Sequence, residues 1–80
     1  MAALSNYDTK FLQDMIVHHQ SALEMSQAYL DAPADHRLAK VSDLARNIIS
    51  AQTDEIAMMT EWLKSEGKPV KSSGSPSMRM

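Results

Sequence analysis

Two long stretches of helical period, divided by one short break, set most of what this chain can fold into. From Asn6 to Leu30 there is no glycine or proline. Pro33 then falls inside Asp31-Ala-Pro-Ala-Asp35, and nothing further breaks the pattern until Gly67 and Pro69. Proline disfavours helix at the residue before it and can open a new helix at its own position. The pattern predicts two helices, about 6–30 and 34–65. Ser5 or Asn6 caps the first, with Asp8 near the positive end of the helix dipole. Asp35 is an alternative cap for the second, and Gly67 with Pro69 ends it. So short a break makes the helices antiparallel neighbours. The expected fold class is all-α, an antiparallel helical hairpin with no strand.

Periodicity assigns the faces. At about 100° per residue, with His18 at 0°, Phe11, Ala22, Met25 and Tyr29 lie within about 40° of it and Met15 near 60°. His19 lies near 100°, among Leu12, Leu23, Ser26 and Leu30. Lys10, Asp14, Gln20, Glu24 and Asp31 take the far side, where Val17 is the one apolar mismatch. On the second segment Leu38, Val41, Ala45, Ile48, Ile56, Met59 and Leu63 share a stripe, with Leu44 and Trp62 at one edge and Ile49 at the other. Each stripe is about 140–180° wide, more than one partner helix covers. The natural completion is a four-helix bundle made by a homodimer. At 80 residues the chain is also near the lower limit for a self-sufficient core. Residues 1–66 are expected to form the hairpin, and 67–80, GKPVKSSGSPSMRM, a disordered tail.

Several function classes drop out. A net charge of −2 gives no electrostatic case for nucleic acid or an anionic membrane. No apolar run approaches the roughly 20 residues of a membrane span. With no cysteine, thiolate sites and thiol catalysis are excluded. The opening MAALSNYDTK lacks the basic-then-apolar order of a signal peptide. No serine or threonine stands beside a base on a stripe and there is no glycine-rich phosphate loop, so an enzyme is not expected.

What remains is the polar content of the stripes: His18, His19, Gln52 and Glu55. Buried without partners, each would cost a few kcal/mol. One reading is a hydrogen-bonded layer that fixes register in a bundle core. The other is a metal site, drawn from His18 and His19 with Met15, Met25 and Met59. Thioether sulfur is soft and imidazole borderline, so such a set favours Cu(I), with Ag(I) as its chemical mimic. Zinc wants more histidine, cysteine or carboxylate, and a di-iron site wants Glu-x-x-His on two helices. Met15 and His18 are one turn apart and can share an ion. Met25 is two turns from His18, about 10.5 Å along the axis, and cannot join them within one helix. Met59 is central on its stripe, where packing is the simpler role. With the turn near residue 32, His18 should lie opposite about residue 47. Met59 should then lie opposite the start of helix one. His36 should sit in solvent in the first turn of helix two. Met78 and Met80 belong to the tail.

The ordered string Asp8-x-x-Phe11, Met15-x-x-His18-His19-Gln20-x-Ala22-x-x-Met25, Gln52-x-x-Glu55-Ile56 and Met59-x-x-Trp62-Leu63 resembles the domain-of-unknown-function 305 family, over roughly residues 8–63. The resemblance implies a ferritin-like helical bundle, usually exported in bacteria, with some members binding copper or silver through Met and His. By position it implies Met15, His18, His19, Met25 and Met59 as ligands, with Gln52 and Glu55 in the polar layer, and a periplasmic or secreted location. Members commonly carry two such helical pairs and an export signal or anchor; this chain has one pair and no such signal. The expected function is soft-metal sequestration or carriage. The alternative is a structural or protein-interaction module whose core histidines form only a hydrogen-bond network.

Overall fold

The fold is a computed structural model that describes residues 3–71. It is all-helical, with no strand among the described residues. Helix α1 spans Asn6–Leu30 and α2 spans Ala39–Ser65. The two pack side by side as an antiparallel hairpin. Local chemistry fixes the two helix termini at the open end of the hairpin. The Asp8 N–H donates to Ser5 Oγ at 2.9 Å and the Ser5 N–H to Asp8 Oδ2 at 3.0 Å, a reciprocal capping box. At the far end of α2, Gly67 adopts φ 69°, the left-handed region. The Lys68 N–H then reaches Leu63 O and the Gly67 N–H reaches Lys64 O, which closes the helix as a Schellman motif.

The second helix begins later than the sequence pattern predicts. Pro33 does open a helical turn, but only a 3-10 turn over Ala34–His36. Arg37 is extended and Leu38 is the N-cap of α2. The connection has its own bonds. Arg37 donates to Ala32 O and to Ser42 Oγ, each at 3.0 Å, and the Leu38 N–H donates to the Tyr29 hydroxyl at 2.9 Å. His36 is exposed as expected, although in this turn and not in α2.

The longer connection moves the register. His19 meets Glu55, where a turn at residue 32 had placed His18 opposite about residue 47. The shift is about nine residues, or two and a half helical turns. Met59 accordingly packs with Leu12, Ile16 and Leu63, near the level of Met15, and not at the start of α1. Those four residues, with Ala45, are the buried apolar side chains, and Leu4, Met15, Ile56 and Val70 pack around the cluster.

Val70 corrects a second expectation. Residues 67–71 are not a free tail. The chain turns at Gly67, Gln13 Nε2 donates to Pro69 O at 2.8 Å, and Val70 packs on the core cluster. Gln13, on the polar side of α1 by period, is buried by this strap. The remainder of the expected tail, with Met78 and Met80, lies outside the described residues.

Candidate metal centre

α2 covers only part of the α1 stripe. The buried side of α1 is Leu12, Ile16, His19 and Ser26, centred about 100° round the helix from His18. Phe11, His18 and Met25, spaced at sevens, form a line that α2 leaves open; Phe11 is 61% exposed and Met25 65%. The two adjacent histidines therefore part company. Both were expected to face the core, and only His19 does. Their rings sit edge to face with centroids 6.1 Å apart.

Both ring nitrogens of His19 are occupied. Nδ1 lies 2.8 Å from the Met15 carbonyl oxygen and Nε2 lies 2.6 Å from Glu55 Oε1. A carbonyl only accepts, so Nδ1 carries a proton and donates it. An ionised carboxylate also only accepts, so against ionised Glu55 it is Nε2 that donates, and the contact is an ion pair when the ring carries both protons. In that state the ring has no lone pair for a metal. The pair ties α1 to α2, with His19 buried and the Glu55 side chain half-exposed. Gln52, half-buried one turn before Glu55, takes no part in the bonds that hold the ring. The expected four-residue polar layer is thus one interhelical pair.

The other candidates divide by access. Met59 is 6% exposed inside an apolar cluster, and its thioether serves packing. Met15 is half-buried at the rim of that cluster, one turn before His18. His18 is exposed, held by none of the bonds that fix His19. Met25 stands farther along the same open line, at the edge of a cleft that also takes in Leu44 and Ile48. Among the described residues no three His, Cys, Asp or Glu side chains converge as a metal cage. The donor set at hand is one imidazole with thioethers, which fits a soft monovalent ion better than Zn(II) or a hard cation. The contacts missed by sequence reasoning are structural: Gln13 to Pro69, and Arg37 to Ser42. Periodicity carries no signal for either, because both depend on where the chain turns.

The fold and site define a class: a two-helix hairpin with a buried histidine–carboxylate pair and an exposed histidine one turn after a methionine. The chain belongs to the family described as domain of unknown function (DUF305), whose model matches residues 8–80. No curated protein matches it, and neither does any solved structure. No helix among the described residues is long and apolar enough to cross a membrane.

Proposed function

We propose that this chain binds a soft monovalent metal, Cu(I) with Ag(I) as its mimic, for sequestration or carriage and without catalysis. It acts as a homodimer that completes a ferritin-like four-helix bundle, in the periplasm or outside the cell, where members of the family are usually found. The observation that carries the metal reading is the division between adjacent histidines. His19 is committed to Glu55 and the Met15 carbonyl, while His18 stands exposed one turn after the Met15 thioether. His18 supplies a borderline nitrogen and Met15 a soft sulfur, about 4.5 Å apart along the axis. A bound ion would complete its shell with donors from a second copy, and Met25, two turns away on the same helix, would serve a second ion or meet ligands from that copy.

The test is anaerobic Cu(I) competition against a chromophoric chelator. Wild type competes, and His18→Ala and Met15→Leu each lose most of that ability. Leucine keeps the volume of methionine and removes the sulfur, so folding survives. A second reading has its own support: the His19–Glu55 pair is one interhelical bond of the kind a structural or interaction module would use, although not the four-residue layer expected. If wild type fails to compete, or both variants compete as well as wild type, that second reading is the better one.

A further inference from the structure

The open face of the hairpin has two unlike ends. At the turn end lies a cleft of about 210 Å³, with Ala22, Ser26 and Ala45 as its small-residue floor and Met25, Leu44 and Ile48 beside them. That exceeds the roughly 150 Å³ that accepts a benzene ring in a protein core. At the other end stand large side chains in water: Phe11 on α1, with Met58 and Trp62 on α2. Both ends lie on one face. Phe11, His18 and Met25 recur at sevens on α1, and Leu44 and Trp62 are eighteen residues, about five full turns, apart on α2. Because the cleft brings Met25 and Leu44 together, the two lines border the same surface.

We propose that two copies dock on this face with their turns at opposite ends, so that the Phe11–Trp62 end of each fills the Met25–Ile48 cleft of the other. This rests on the dimer reading above and adds its face and direction. A parallel dimer would set aromatic against aromatic and leave both clefts empty. The antiparallel arrangement satisfies both ends at once, and a two-fold axis makes the fit reciprocal. Phe11, Met25, Leu44, Met58 and Trp62 leave roughly half their surface in water, on the order of 100 Å² each. That is about 500 Å² per copy before His18 and Ile48 are counted, against the roughly 800 Å² per partner of a standard interface. The charged side chains Lys10, Asp14 and Glu24 are on the opposite side of α1 and stay wet. Midway between cleft and aromatic end is the level of His18, so the axis passes there and the two His18 rings come to the same height. Glu55 is the charged side chain nearest the axis on α2, and His19 of its own chain offsets its charge.

Pulsed electron–electron resonance reads the direction, because the chain has no cysteine of its own. Single spin labels go on Lys10→Cys, Val17→Cys and Glu24→Cys, all exposed sites. Antiparallel docking gives the shortest interchain distance at position 17. The axial component grows to about 24 Å at position 10 and about 18 Å at position 24. Equal distances at all three positions, in a chain that sediments as a dimer, would overturn the docking and leave the dimer standing. A monomer without dipolar coupling would overturn both. Phe11→Ala and Trp62→Ala each weaken dimerisation tenfold or more. Unchanged dimerisation, with helicity retained by circular dichroism, would remove the proposed fit.

Discussion

The His19–Glu55 contact gives the sharpest energetic prediction. Take His19→Leu and Glu55→Ala, singly and together. A hydrogen bond to a charged group contributes about 1.5–3 kcal/mol when both partners are shielded. An exposed ion pair contributes about 0–1 kcal/mol. Here the His19 side chain is 10% exposed and that of Glu55 is 50% exposed, so the pair lies between these limits. Water competes for the carboxylate, and salt screens it on one side. The coupling energy from the double-mutant cycle should be about 1 kcal/mol. Leucine fills the imidazole's space, and the Met15 carbonyl keeps its place in the helix ladder, so little else changes. Urea unfolding followed by far-ultraviolet circular dichroism resolves this in a domain of about 4–12 kcal/mol total stability. All four proteins must be compared at one chain concentration, since association adds a concentration-dependent contribution. Additive effects, with coupling below about 0.3 kcal/mol, would show that the pair does not hold the helices together.

Three further substitutions test the frame. Leu63→Ala, at the one fully buried large side chain among the described residues, should cost about 2–5 kcal/mol in the same urea assay and lower the unfolding midpoint accordingly. Gly67→Ala meets no atom within 4 Å but must hold φ 69°, so thermal unfolding should show a loss of about 1 kcal/mol from backbone strain alone. Gln13→Ala should cost about 1 kcal/mol by freeing the Pro69 carbonyl, and the same substitution in a chain ending at Gly67 should cost little. An equal loss in both backgrounds would show that Gln13 does not act through the strap.

The sequence carried the helices and lost the connection. Absence of glycine and proline, plus the period, is local information, and α1 and the end of α2 follow from it. The start of α2 depends on Arg37 reaching both Ala32 and Ser42, which no window of periodicity encodes. The start of α2 moved by five residues and the register at His19 by about two and a half turns, and with it the level of Met59. The histidines show the same limit differently. Period places His18 and His19 on one broad stripe, but a single partner helix covers only the side that carries His19. Which half of a wide stripe is covered depends on packing, and so the separation of the two imidazoles emerges only in the fold. Pro69 and Val70 read as tail because the segment is short and polar, yet Val70 finds the cluster once Gly67 reverses the chain.

The central claim is that the exposed histidine takes the metal while the buried one stays bonded. Imidazole nitrogen nuclear magnetic resonance during anaerobic Ag(I) titration reads all three histidines separately. The account predicts a large shift at a His18 ring nitrogen, saturating with the metal, while His19 keeps the signature of two bonded N–H groups and His36 does not move. Displacement of the His19 signal first, or titration to excess with no histidine shifted, would contradict it.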